Sequence, residues 1–205
     1  MRCQFCYNDQ FVLPDKLTKT FADLISEEAF FQFIHERKSR IDGVVICGWE
    51  PTLQKDLYNF IQRVKEECLL VKLDTNGRDP EIVEQLIKNK LVDYIAMDIK
   101  NPLHQMHILT GVKEEVEPYR QTINILLAGK VDYEFRTTVI KRYHTPKSIA
   151  TMAKSIQWAK KYVLQNFMPG KTLNPYFDGL SYTKEDLEFL QSVAAEYVQK
   201  CLIRI

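Results

Sequence analysis

Two cysteines stand three positions apart near the start of the chain, in Cys3-Gln4-Phe5-Cys6-Tyr7. Two residues between thiols let both sulfurs turn toward one centre. The pair therefore suits half of a zinc site, a redox couple or part of an iron–sulfur site, against the simpler reading of two unrelated thiols. Cys47, Cys68 and Cys201 lie too far away in sequence to complete a ligand pattern. A second group of chemically able residues is dispersed: Cys47-Gly48-Trp49-Glu50-Pro51-Thr52, Asp74-Thr75-Asn76-Gly77, Met97-Asp98-Ile99-Lys100 and Arg136. Taken singly, an Asp can cap a helix and Asn-Gly can make a turn. Taken together, three successive strand ends with ionisable residues read as one shared site that could hold a charged ligand.

The elements that must position these residues alternate in type. Helical spacing of apolar residues marks 26–39, 55–67, 80–89, 118–127, 146–158 and 184–199. Ser26 followed by Glu27 and Glu28, and Thr183 followed by Glu185 and Asp186, are helix starts. Pro80 suits a first helical position, where its missing N–H costs nothing. Short apolar or alternating runs at 43–47, 69–73, 92–99, 131–140 and 162–167 read as strands. Strands alternating with helices imply a parallel sheet with right-handed crossovers. Five strands are too few for a closed eight-stranded barrel, so an open or partial barrel fits, with ligands at the carboxyl ends of its strands.

The chain has 205 residues, 45% of them hydrophobic and 27% charged, with a formal net charge of +1. That is the balance of a single globular domain, 1–205, and it gives no broad nucleic-acid or membrane footprint. Five cysteines, an odd number, argue against a disulfide framework. With no secretory leader at Met1-Arg2-Cys3, a cytoplasmic, reducing setting is expected. His35 reads as solvated, His144 as a turn residue, and His104 and His107 as loop residues that could line the site. Cys47 reads as small-residue packing.

Cys3, Phe5 and Cys6 resemble the second half of the CxxxCxxC motif of the radical S-adenosylmethionine (SAM) family, and Cys47-Gly48-Trp49-Glu50-Pro51 is similar to its GGEP motif. Leu73-Asp74-Thr75-Asn76-Gly77 and 93–100 look like the activases of glycyl radical enzymes. The segments 135–139 and 163–167 resemble the activators of anaerobic ribonucleoside-triphosphate reductase. The resemblance implies a partial (β/α)6-type barrel with about five of six strands present. It also implies a 4Fe–4S cluster held by Cys3 and Cys6, SAM, and a monovalent cation. Glu50 would then meet the SAM amino group, an anion matched to an ammonium. Gly48, Trp49, Pro51 and Asn76 belong to the same pocket. Asp74, Thr75 and Asp98 would lie near the SAM carboxylate and the cation, Lys100 and Arg136 would be cationic partners of SAM, and Phe5 and Tyr7 would border the adenine. A bland alternative for Arg136 is an ion pair with a nearby acid such as Glu134 within the sheet. The implied reaction cleaves SAM to a 5′-deoxyadenosyl radical that takes a hydrogen from a glycine of the partner enzyme. The implied partners are anaerobic ribonucleotide reductase and an electron donor such as flavodoxin or ferredoxin.

Against that pattern, a third cysteine would fall four positions before Cys3, upstream of Met1, as would the strand preceding the cysteine loop. A chain begun at an internal methionine is the expected reason, and a short, non-catalytic relative is the alternative. Trp49 stands where the pattern has its second glycine, which would let the backbone approach a ligand. Rival readings are a radical SAM enzyme with another substrate, a degenerate SAM-fold scaffold, and a small zinc domain.

Overall fold

The structure is a computed structural model that describes residues 3–7, 24–113 and 115–205. Six strands are described: β1 (Gly43–Ile46), β2 (Leu70–Thr75), β3 (Tyr94–Asp98), β4 (Asp132–Val139), β5 (Tyr162–Asn166) and β6 (Cys201–Arg204). Every neighbouring pair is parallel, and the spatial order β1-β2-β3-β4-β5-β6 is the chain order. A sheet whose crossovers all step the same way, with one hand, carries its helices on one face and leaves the other free. This is the wall of a partial barrel rather than a doubly wound sheet, as expected. The expectation of five strands falls short by one, because β6 at the C-terminus adds to the sheet beside β5.

The helices are α1 (Glu27–Arg37), α2 (Leu57–Glu66), α3 (Pro80–Lys88), a single turn α4 (His107–Thr110), α5 (Glu117–Leu127), α6 (Pro146–Ser155) and α7 (Lys184–Ala195). Their starts follow the local chemistry. The side chains of Ser26, Asp79 and Thr183 accept from the backbone N–H groups of Ala29, Ile82 and Asp186. Thr145 and Ser148 form a reciprocal capping box at α6. The long helices after α1, which buries Ile34 alone, each bury residues at helical spacing, such as Leu57, Ile61 and Val64 on α2, or Leu187, Leu190 and Ala194 on α7. The stripes pack on the alternate strand residues Val71, Leu73, Ile95, Met97, Tyr133, Phe135, Tyr162 and Leu164 in one core. Two expected helices overran: the last ends at Ala195 rather than residue 199, and α6 ends at Ser155.

The residues between those alternates face the opposite side of the sheet, because the side-chain period of a strand is two. Lys72, Asp74, Tyr94, Asp98, Glu134 and Arg136 all fall on this face, opposite the one on which the described helices pack. The register explains their company. Asp98 is the strand partner of Arg136, and Asp74 and Asp98 lie on neighbouring strands at adjoining levels.

Candidate functional site

At the carboxyl end of the sheet, Arg136 joins two acids. Its Nε donates to Asp98 Oδ1 at 2.7 Å and its Nη1 to Asp74 Oδ2 at 3.0 Å. Lys100 Nζ donates to Asp98 Oδ2 at 3.0 Å, and Lys72 Nζ lies 3.2 Å from Asp74 Oδ1. The result is a row of alternating charge across the ends of β2, β3 and β4. Burial alone would raise the Asp98 carboxyl, but Lys100 and Arg136 outweigh it and hold Asp98 below the usual carboxylate range. The same contacts overcome burial for Lys100 and Arg136 and strengthen their hold on their protons. The ion pairing with a nearby acid in the sheet, expected as the bland alternative for Arg136, does occur, with Asp98 and Asp74 rather than with Glu134. Glu134 instead accepts from Tyr94 Oη at 3.1 Å and Arg204 Nη2 at 3.0 Å, lower on the same face.

Glu50 sits beside this row, 4% exposed. Its Oε1 accepts from Thr52 N at 3.2 Å, Thr52 Oγ1 at 2.8 Å and Thr75 Oγ1 at 2.8 Å; its Oε2 accepts from Asn76 N at 2.7 Å. One carboxylate thus ties the loop after β1 to the end of β2. Thr75 Oγ1 also accepts from Gly77 N, and Asn76 Oδ1 from Arg78 N, which shape the turn. Gly77 has φ +79°, and a Cβ there would lie 2.1 Å from Met97 Cε, so any other residue is strained and must displace the Met97 side chain. Gly48 has φ +141° with open space where a Cβ would stand. Pro51 is buried in the short 3₁₀ turn Pro51–Leu53, while Trp49 keeps 45% of its surface exposed.

The cysteine segment lies at the same edge. Cys6 N donates to Cys3 O at 3.0 Å, which bends the two thiols into one turn. Burial raises the Cys3 thiol, and the Lys100 ammonium opposes that rise, so the turn and the row of charge share one electrostatic field. Phe5 does not face outward: it is buried with Leu109, Ile140 and Phe167, with Phe177 packed against that group. Tyr7 is half-exposed and stacks on Phe167 with ring centroids 6.1 Å apart.

Of the residues singled out in the sequence, Glu50, Asp74, Thr75, Asn76, Asp98, Lys100, Arg136, Cys3 and Cys6 gather at one edge of the sheet. Phe5 joins the packing beneath the cysteine turn. His104, His107 and Cys47 are exposed, so Cys47 is not a packing residue. His144 is not a simple turn residue either. It is 1% exposed, its Nδ1 accepts from Ile140 N at 2.9 Å, and its Nε2–H donates to the carbonyl of Lys100 at 3.0 Å. It therefore fixes the backbone from which Lys100 projects, and burial lowers its pKa and keeps it neutral. Its place before Thr145-Pro146 gave no sequence signal for that contact.

Residues 1–156 match the Radical SAM superfamily. The chain belongs to that family. Radical SAM proteins use a 4Fe–4S cluster and SAM. The chain is 33% identical, over its whole length and 84% of the relative's, to a Methanocaldococcus jannaschii protein named "Putative glycyl-radical enzyme activating enzyme". It is 26% identical to the 7-carboxy-7-deazaguanine synthase of Bacillus subtilis, over 69% of this chain and 59% of that one. Among solved structures, a domain of pyruvate-formate lyase-activating enzyme from Bacteroides vulgatus superposes with a TM-score of 0.61 at 20% identity, covering 78% of this radical SAM chain and 98% of that one. Streptococcus suis SuiB bound to S-adenosylmethionine superposes with a TM-score of 0.62 at 15% identity, over 84% of this chain and 40% of SuiB. These two likenesses concern the fold.

The residues present fit the family's cofactors in donor chemistry. Two soft thiols in one turn suit iron. Among the described residues, no group of three or more His, Cys, Asp or Glu is placed to hold a metal ion. For SAM, the edge offers anions toward an ammonium and cations toward a carboxylate. Asp74 Oδ1 is buried and accepts no well-aligned hydrogen bond, with the Lys72 ammonium 3.2 Å away.

Proposed function

We propose that this protein is a radical SAM activating enzyme that installs a glycyl radical on a partner enzyme, and that the partner is anaerobic ribonucleoside-triphosphate reductase. The observation that carries the radical SAM site is the cysteine turn lying beside Lys100, at the edge where Asp74, Asp98 and Arg136 meet. The likeness along the whole chain to the M. jannaschii protein supports the activating role. The motif resemblance at 135–139 and 163–167 supports the reductase as partner.

In this reading Cys3 and Cys6 hold two irons of the cluster. Glu50 faces the SAM amino group, and Lys100 and Arg136 face its carboxylate, near Asp74, Thr75 and Asp98. When bound, cluster and SAM together supply the one-electron chemistry that yields a 5′-deoxyadenosyl radical. The chain's own part is positional. The Glu50 bonds fix the ends of β1 and β2 relative to one another, and His144 fixes Lys100. Arg136 holds two acids that would otherwise repel, so the charges are oriented before a ligand arrives. Asp74, Thr75 and Asp98 supply oxygen ligands for a monovalent cation at the same edge. Gly48 lets the chain pass close to a ligand with no side chain of its own, while Trp49 offers a ring face at the rim. Flavodoxin or ferredoxin is the electron donor that the family reading implies. A reducing, cytoplasmic location suits such a cluster; no helix among the described residues is long and apolar enough to cross a membrane.

The test is anaerobic iron–sulfide reconstitution, followed by low-temperature EPR with and without SAM, then addition of reductant and anaerobic ribonucleotide reductase. A cluster signal perturbed by SAM, followed by a glycyl radical signal on the reductase, is expected. A SAM-perturbed cluster that cleaves SAM yet leaves the reductase without a radical would move the protein to the second reading. That reading is a radical SAM enzyme acting on another substrate, which the likeness to 7-carboxy-7-deazaguanine synthase favours. A chain that takes up neither cluster nor SAM would leave the scaffold reading.

A further inference from the structure

The segment between the two cysteines is gripped from both sides. On one side, Gln4 N donates to Leu109 O at 3.0 Å and Gln4 Nε2 to Ile108 O at 3.3 Å. On the other, Asn174 N donates to Gln4 O at 3.0 Å, Leu173 N to Cys6 O at 2.8 Å, and Asn174 Nδ2 to Gln4 Oε1 at 3.1 Å. Gln4 thus uses its backbone N–H, its carbonyl and both ends of its side chain on two loops that follow β3 and β5. Asn174 is itself over-determined. Its Oδ1 accepts from Tyr176 N at 3.0 Å, and its carbonyl from Thr172 Oγ1 at 2.7 Å and Phe177 N at 3.0 Å. Beneath, Phe5 packs edge-on to Phe167 and against Phe177, from the same stretch of chain. The match to the Radical SAM superfamily ends at residue 156. The latch from 167 to 177 lies beyond it.

The geometry points to Asn174 as a positioning residue for the cysteine turn: through its pairing with Gln4 it holds Cys3 and Cys6 in their ligand conformation before metal arrives. This rests on the reading of Cys3 and Cys6 as iron ligands. The backbone bonds from Leu173 and Asn174 would form with many side chains. The Gln4–Asn174 amide pair sets the register, because it joins the two segments through side chains and requires a particular type at both positions. A turn ordered in advance loses less conformational freedom when it binds iron than a loose one.

The test compares the full-length chain with Asn174→Asp and Asn174→Ala. Asn174→Asp keeps the oxygen that accepts from Tyr176 N but sets an oxygen against Gln4 Oε1. Asn174→Ala removes both contacts. In the metal-free protein, hydrogen exchange and alkylation of Cys3 and Cys6 are measured by mass spectrometry. Iron content and the cluster midpoint potential follow after reconstitution. In N174D, exchange over residues 3–7 and thiol alkylation should rise about five- to tenfold, the loss of one hydrogen bond, with the Tyr176 amide still protected. The reconstituted variant should hold less iron or show a shifted potential. Unchanged exchange and alkylation in N174D overturns the latch. A loosened turn with normal iron content and potential overturns its role toward the cluster and leaves a merely structural contact. If the unaltered chain takes up no iron, the ligand reading fails and takes the positioning role with it, while exchange and alkylation still report on the latch.

Discussion

Replacing Glu50 by Gln in the protein without iron or SAM isolates what this carboxylate does for the fold. Four donors converge on it, two of them backbone N–H groups, Thr52 N and Asn76 N, and the side chain is 4% exposed. A glutamine keeps one oxygen. With that oxygen at the Oε2 position, Asn76 N stays paired and the two threonine hydroxyls can turn to accept from the new amide, but Thr52 N meets a donor. With the oxygen at Oε1, Asn76 N is the group left facing a donor. Either way one buried backbone N–H loses its acceptor, at about 1–3 kcal/mol, and the remaining bonds lose their charge assistance. A destabilisation of about 2–3 kcal/mol follows, which for a chain of this size lowers Tm by roughly 4–12 °C. Anaerobic thermal and urea unfolding of the apoprotein measures it, with no ligand present to contribute. A change within about 0.5 kcal/mol, the range of a surface substitution, would refute the reasoning and mean that Glu50 does not bind β1's loop to β2 in solution.

Three further outcomes are expected. Arg136→Met should cost about 2–3 kcal/mol in urea unfolding, below the 3–5 kcal/mol of a fully buried pair, because Asp74 and Asp98 keep 17% and 26% side-chain exposure and retain Lys72 and Lys100. Lys at 136 should recover only part of this, since it cannot make both contacts in one plane. His144 is held neutral in the fold with a lowered pKa, so the unfolded chain binds its proton first as pH falls. Its contribution is complete above about pH 6.5 and declines below it. The fall in stability between about pH 7 and 5 should be shallower in His144→Gln, read as Tm against pH. Gly77→Ala should destabilise more than Gly48→Ala. Both positions have positive φ, but only at Gly77 does a Cβ collide with Met97, and circular dichroism melts of the two variants decide it.

Much of the fold was legible because apolar spacing and helix starts are local signals. Ser26, Asp79, Thr145 and Thr183 cap the helices that their neighbours predict. The strand β6 was missed because Cys201–Arg204 is a four-residue run with no turn signal after it, and it pairs only with a distant β5. Its approach also truncates the preceding helix at Ala195, which periodicity alone would extend. The strand-end acids were legible as a group, since a parallel sheet brings successive carboxyl ends together. Their pairing was not, because Arg136 could reach acids on either side and only register puts Asp98 beside it. The burial of Phe5 was not legible, because it depends on Phe167 and Phe177, more than 160 residues along the chain. Roles carried by backbone atoms, such as His144 on the Lys100 carbonyl, leave no trace in residue type.

The grip on the cysteine turn has a consequence for the order in which the molecule is made. Cys3 and Cys6 leave the ribosome some 170 residues ahead of Leu173 and Asn174, which hold the turn between them. At about 5–20 residues per second of synthesis, that is a wait of roughly 10–30 s. Throughout it the two thiols are exposed without their latch, open to oxidation or to the wrong metal. The turn is held only once residues 173 and 174 have emerged, so on the reading of Cys3 and Cys6 as iron ligands, metal loading would follow the synthesis of that stretch.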